Sequence, residues 1–221
     1  MKDMLNLSLR LALICAVAAL LLTQVNGITR EPILLAENAA EVAAIEAVLP
    51  AFDNKPVEDT AVTREGTAEE ATYHIGIKDG RYAGAAFKAV TYDGYSGEIV
   101  SMIGVGAEGN LTGMRILRHA ETPGLGAKYA DAALLNEFYV GRPLVGTDWR
   151  VKKDGGPIDA ISGATVTGRA VCGALAAAMN RFREDLPAIL EASAGYGGAA
   201  PGGDGTEDAA TATAEERVGD E

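Results

Sequence analysis

Cysteine, histidine and aromatic side chains are scarce in this chain. Its two cysteines are Cys15, in an apolar N-terminal run, and Cys172, in a helical pattern. A disulfide framework is therefore excluded, and neither cysteine sits in a metal-ligand spacing. The two histidines, His74 and His119, stand far apart with no ligand pattern around them. No nucleophile–His–acid set, Walker sequence or dinucleotide-type glycine pattern occurs, and there is no internal repeat. Bases are in deficit as well, with 19 Lys and Arg against 31 Asp and Glu, for a formal charge of −12. That balance argues against a nucleic-acid partner, because phosphate contacts require Lys and Arg. Aromatics make up 5% of the chain, so its core relies on aliphatic side chains and Ala.

What is present is strongly partitioned. Leu11 to Leu22 carries no charge, and Leu5 to Leu9 and Thr23 to Ile28 extend the apolar region toward the roughly 20 residues that span a bilayer. Arg10 lies near one end, where its long stem allows the guanidinium to reach the interface. Lys2 and Arg10 precede the run, which predicts a cytoplasmic N-terminus. A cleaved signal peptide is the rival reading, but Val25-Asn26-Gly27 is a poor substitute for an A-x-A cleavage site. At the other end, Asp204, Glu207, Asp208, Glu215, Glu216, Asp220 and Glu221 face one base, Arg217, so the region after Ala192 carries −6 of the −12. Its Gly, Ala, Thr and acid composition offers too little apolar surface to offset ordering entropy, and a disordered acidic tail is expected over 192–221.

Between these ends the pattern is α+β. Residues 1–30 read as a short cytoplasmic N-terminus and transmembrane anchor, 31–70 as a helix and connection, and 71–191 as the folded domain. Glu37 to Leu49 has helical apolar spacing and stops at Pro50. Asp53 to Ala68 reads as a polar connection. Four strands follow, over Thr72–Lys78, Arg81–Tyr92, Glu98–Val105 and Leu111–Leu117. Asp79-Gly80 is a hairpin signal, and Gly84 marks a candidate bulge. A mainly antiparallel sheet packed with helices is predicted. Tyr129–Tyr139 reads as a short helix, Trp149–Lys153 as a further strand, and Thr165 to about Leu190 as a long Ala-rich helix. Its apolar face includes Val166, Ala170, Cys172, Leu175, Ala176, Met179 and Phe182. Tyr82, Tyr92 and Tyr95 read as sheet and turn residues.

Two stretches carry chemistry. In Asp159-Ala160-Ile161-Ser162-Gly163-Ala164-Thr165-Val166-Thr167, small residues turn the chain into the start of the long helix. Orphan N–H groups and the helix dipole there favour an anion, with hydroxyls from Ser162, Thr165 and Thr167 alongside. An N-cap role for Ser162 or Thr165 is the simpler alternative. In His119-Ala120-Glu121-Thr122-Pro123-Gly124-Leu125-Gly126-Ala127-Lys128, Pro and Gly break regular structure and permit close backbone approach to a planar ligand, or form an ordinary surface turn. Lys152 and Lys153, just upstream of the first stretch, read either as a solvated strand edge or as compensation for a phosphate charge.

Asp159-x-x-Ser162-Gly163-Ala164-Thr165 resembles the flavinylation motif of the FMN-binding domain family, and the Glu121 loop resembles the same proteins. With its N-terminal anchor the chain is similar to G subunits of Rnf (Rsx) electron-transport complexes. The related C subunits of sodium-pumping NADH:quinone reductases come next. The resemblance covers roughly residues 1–190. It implies FMN joined covalently to Thr165 as a phosphoester by a flavin transferase, with Thr167 as second choice. It also implies a recognition role for Asp159, and a cofactor site formed by Ser162, Gly163, Ala164, Glu121, Thr122, Gly124, Leu125, Gly126 and Lys152. Glu121 is expected to orient the loop rather than touch the ring. The implied protein is an electron-transfer subunit of an ion-translocating ferredoxin:NAD oxidoreductase in the bacterial inner membrane. Its FMN domain would lie on the outer face, with the other membrane subunits as partners and no complete activity alone. Two alternatives stay open: a flavinylated quinone-reductase subunit, and a membrane-anchored sensory or assembly module without a pump. A third, a non-flavin binding protein, follows if the motif is only a capped turn.

Overall fold

A helix of 47 residues, α1 (Lys2–Val48), begins the chain. The structure, a computed structural model, describes residues 2–67 and 70–197. Two helices were expected here, one apolar and one amphipathic, and they are one. Pro32 lies inside α1 and lacks the N–H for one helical bond. The helix-compatible residues around it (Ile33, Leu34, Leu35, Ala36) carry the helix through. At about 1.5 Å per residue, α1 is roughly 70 Å long, more than twice the ~30 Å hydrocarbon thickness. Asn6–Val48 is long and apolar enough to cross a membrane, and its Leu, Ile and Val side chains from Leu7 to Leu35 are exposed.

Residues Met1–Ala43 and Ala44–Glu221 are separate compact units. The second is built on one antiparallel sheet in the order β1-β2-β3-β4-β5. The strands are β1 (Thr60–Thr63), β2 (Ala71–Lys78), β3 (Arg81–Gly94), β4 (Gly97–Gly106) and β5 (Leu111–His119). The polar connection therefore contains a strand that the sequence pattern did not reveal, and the sheet has five strands rather than four. Asp79 and Gly80 both have positive φ, +49° and +68°, as a two-residue hairpin turn requires. Gly76 pairs with Gly84 and Ile77 with Tyr82, so the extra residue of the bulge is Ala83, beside the expected Gly84.

Each face of the sheet has its own cover. On one, the long helix α3 (Thr165–Gly195) buries Ala170, Val171, Leu175, Met179, Phe182 and Ile189. Phe182 stacks on Phe87 of β3 at 5.3 Å between centroids, with Tyr73 5.1 Å from Phe87. The buried Asp185 of α3 accepts hydrogen bonds from Thr63 and Tyr73, each 2.8 Å, tying β1 and β2 to the helix. On the other face, Ala44, Ile45, Val48 and Leu49 pack with Ala86 and Met102. The Val48 carbonyl accepts a 2.6 Å bond from Thr112, and its backbone lies over Gly104 and Gly113, where any Cβ would collide.

Between sheet and helix come a 3-10 turn (Gly126–Ala130) and α2 (Ala132–Tyr139), capped by Asp131 through the Ala133 N–H. The strand expected over Trp149–Lys153 is reduced to one parallel bridge, Val151 to Ile158. Lys152–Asp154 instead forms a 3-10 turn closed by Gly155 at φ +82°. Residues 192–197, expected as the start of the tail, are instead folded. Helix α3 continues to Gly195 with Ser193 buried, and the Tyr196 hydroxyl donates to the Thr60 carbonyl at 2.8 Å. The acidic residues 204–221 lie outside the described residues.

Candidate functional site

The Glu121 loop and the start of α3 meet in a cleft of about 380 Å³, within the range of small-ligand sites. Glu121, Thr122, Leu125 and Gly126 line it from the loop, and Gly163 through Thr167 from the helix. Two stretches some forty residues apart in sequence thus form one site. Its floor is a buried polar contact in which the Thr167 hydroxyl donates to Glu121 Oε2 at 2.8 Å. The other carboxylate oxygen accepts the Ser96 N–H at 3.1 Å. The Glu121 N–H donates to His119 Nδ1 at 3.2 Å, which closes the loop's entry. Glu121 therefore joins loop, hairpin and helix. Gly126 is required here, because a Cβ at that position would lie 2.6 Å from Thr167 Oγ1 and closer still to Glu121 Oε2.

The helix start leaves donors unused. Ala164 is the N-cap and has no side-chain capping bond, so neither Ser162 nor Thr165 acts as a cap. The first helical bond is from the Gly168 N–H to the Ala164 carbonyl. The N–H groups of Thr165, Val166 and Thr167 have no acceptor among the described residues. These donors and the helix dipole favour negative charge at this end. The turn before it is held from behind by Tyr129, whose hydroxyl accepts the Ile161 N–H at 3.3 Å. Burial raises the Tyr129 pKa, with that N–H opposing the shift. Gly168 allows the Tyr129 ring to lie against the helix. Gly163, at φ +82°, takes the left-handed conformation at the corner.

The hydroxyls divide sharply. Thr167 is 1% exposed and bonded to Glu121. Thr165 is half-buried at the cleft, and its Oγ1 accepts a 3.0 Å bond from Lys153 Nζ. Ser162 is exposed and, like Gly124, lies outside the cleft lining. Asp159 pairs with Lys152 at 2.7 Å, and both stay outside the lining. Asp154, next to Lys153, is held below the usual carboxylate range by hydrogen bonds from Arg169.

Two contributors to the cleft were not foreseen from sequence. Val166, assigned to the apolar core face of the helix, is 44% exposed and lines the cleft instead. Tyr95, read as a turn residue, lines it from the β3–β4 hairpin and is 70% exposed. With Leu125 these side chains give the opening an apolar rim. No local pattern marks Tyr95, because its position depends on sheet pairing that ends at Gly94 and Gly97.

Comparison with known proteins gives a consistent grouping. The family described as the FMN-binding domain matches residues 94–180, which include both lining segments. Over 194 residues the chain is 32% identical to the G subunit of the ion-translocating oxidoreductase complex from Aliivibrio fischeri, covering 83% of this chain and 92% of the relative. The Pseudomonas aeruginosa protein of the same name is 34% identical over 87% of this chain and 96% of its own. That of Cereibacter sphaeroides is 34% identical over 82% and 85%. The fold resembles a crystal structure of the C subunit of Na+-translocating NADH-quinone reductase from Parabacteroides distasonis, with a TM-score of 0.54 and 18% identity over 71% of this chain and 95% of that one.

Proposed function

Because the chain belongs to the family of G subunits of ion-translocating oxidoreductase complexes, we propose that it is an electron-transfer subunit carrying FMN covalently on Thr165. FMN would supply one- and two-electron chemistry, and the protein would supply tether, orientation and electrostatics. The residues fit that cofactor. Three unused N–H groups at the start of α3 match a phosphate. Leu125, Val166 and Tyr95 offer apolar contact at the opening, and Thr122 and Gly126 bring backbone to the cleft wall.

The observation that carries the reading is the contrast between the two threonines. Thr165 opens to the cleft beside the donors, whereas the Thr167 hydroxyl is buried and committed to Glu121. A phosphoester at Thr165 leaves the cleft floor intact; one at Thr167 removes the proton that Glu121 accepts and forces the phosphate into packed space. We further infer that α1 anchors the chain in the bacterial inner membrane. Lys2 and Arg10 keep its N-terminus cytoplasmic, so the FMN domain lies on the outer face. A flavin transferase is then the maturation partner and the other membrane subunits of a ferredoxin:NAD oxidoreductase complex are the working partners.

The test is direct. The full chain, produced with a flavin transferase, is expected to fluoresce on a denaturing gel and to gain the mass of one FMN less one water. Thr165→Ala is expected to lose both signals and Thr167→Val to keep them. Retention of covalent flavin by Thr165→Ala refutes the attachment site. Purification of the tagged chain without any other redox subunit argues for a lone binding module.

A further inference from the structure

The turn Lys152–Asp154 is held by two ion pairs. Lys152 binds Asp159 at 2.7 Å, at the entry to the Thr165 corner. Asp154 takes a two-pronged bond from Arg169 at 2.6 and 2.7 Å, and Arg169 lies one helical turn after Thr165. Lys153, between them, makes no ion pair among the described residues, and its one hydrogen bond is to Thr165 Oγ1 at 3.0 Å. Lys152 is the lysine expected in the cofactor site, but the geometry separates the two and turns Lys153 to it. Lys152 is spent on a carboxylate, and Lys153 presents its ammonium to the hydroxyl.

We propose that Lys153 is the positioning residue for the modification of Thr165 and the counter-ion of the phosphate it then carries. This rests on the attachment reading above. In the transfer, the Thr165 Oγ–P bond forms as the phosphoanhydride P–O bond of a flavin dinucleotide breaks. The adenosine monophosphate half leaves with that oxygen, the hydroxyl proton passes to a base of the transferase, and nothing is oxidised or reduced. Lys153 neither gives nor takes a proton in this step. Its N–H occupies one Oγ1 lone pair, fixes the oxygen's direction toward the cleft and offsets the negative charge on the phosphoryl oxygens. In the product, the phosphodiester lies between that ammonium and the N–H groups of Thr165, Val166 and Thr167. The Asp154–Arg169 latch restricts the turn, so less side-chain freedom is lost when the contact forms.

The experiment uses the full chain in detergent with purified transferase and a flavin dinucleotide. Initial flavinylation rates are compared for wild type, Lys153→Gln, Lys153→Arg and Lys152→Gln, with phosphorus NMR of the loaded proteins. An exposed charge–phosphate contact corresponds to about a fivefold effect. Lys153→Gln is expected to slow loading by about that factor and to lose the salt dependence seen in wild type. Lys153→Arg should restore most of the rate, and Lys152→Gln should have a smaller effect. The phosphorus resonance of loaded Lys153→Gln should move from its wild-type position. A Lys153→Gln rate equal to wild type, or an unmoved resonance, overturns the assignment. If Thr165→Ala still takes up flavin, the attachment reading fails instead, so the two failures are distinguishable.

Discussion

Gly126→Ala concentrates its damage at one point. The new methyl would fall 2.6 Å from Thr167 Oγ1 and closer still to Glu121 Oε2. Both atoms are buried and bonded to each other. Relief requires the pair to part or the loop to shift. Parting leaves a buried carboxylate oxygen and a hydroxyl without partners, a cost of about 1–3 kcal/mol, and the crowding adds a comparable amount. A destabilisation of about 2–6 kcal/mol corresponds to a melting shift of roughly 4–24 °C for a domain of this size. The assay is near-ultraviolet circular dichroism of the full chain in detergent, which follows tertiary packing rather than the long helix. Gly124→Ala is the control, since its φ of +77° carries backbone strain but nothing lies within 4 Å of a new Cβ; it should cost about 1–2 kcal/mol. In Gly126→Ala with Glu121→Ala, the deleted carboxylate makes room, and the two effects should be less than additive. If Gly126→Ala melts within about two degrees of wild type, against the shift expected from that cost, the loop does not depend on the Glu121–Thr167 contact.

Asp185→Ala deprives Thr63 and Tyr73 of their common acceptor and should lower stability by about 2–4 kcal/mol in urea titration, with proteolysis first at the β1 segment. The Asp154–Arg169 latch should be intact at neutral pH. Because the folded Asp154 pKa lies below the ordinary carboxylate value of 3.8, the latch's stabilisation is present above that value and lost as pH falls through the depressed one. The Arg169 side-chain NMR signal in acid titration checks this. Burial pushes the Cys172 thiol from 9.0 up to about 11. Native protein at a pH of about 8 should therefore leave Cys172 unalkylated by iodoacetamide until it unfolds. Stability should fall as pH rises from 9.0 toward about 11, where the unfolded thiol ionises first.

The two stretches that line the cleft were more legible in the sequence than their surroundings. Residues Asp159–Thr167 and the Glu121 loop carry short-range signals, glycines and small residues at a helix start; Gly163–Thr167 and the loop meet at one cleft, while Asp159, Ser162 and Gly124 lie outside its lining. The four longer strands were legible because alternation and Asp79-Gly80 are local. Strand β1 was not, since Thr60–Thr63 turns Ala61 and Thr63 inward and leaves Val62 exposed. What holds it is Asp185, over a hundred residues away. The Trp149–Lys153 segment has strand-like residues, but among the described residues its one bridge is Val151 to Ile158, and Lys152–Asp154 coils into a turn. Local patterns did not reveal Tyr95 at the cleft or the choice of Lys153 over Lys152, because pairing register and a competing carboxylate decide them.

The contact of Val48 with Gly104 and Gly113 bears on how this protein can be divided for study. The last turn of α1 is also the roof over the second face of the sheet. A water-soluble fragment that starts at Pro50 would strip that roof from Ala86 and Met102 and leave two adjacent strands with glycine-floored furrows open to solvent. A fragment that starts near Ala36 would keep Ala44, Ile45 and Val48 in place and omit the most apolar residues. The practical domain boundary therefore lies inside a helix, several turns before the residue at which that helix ends.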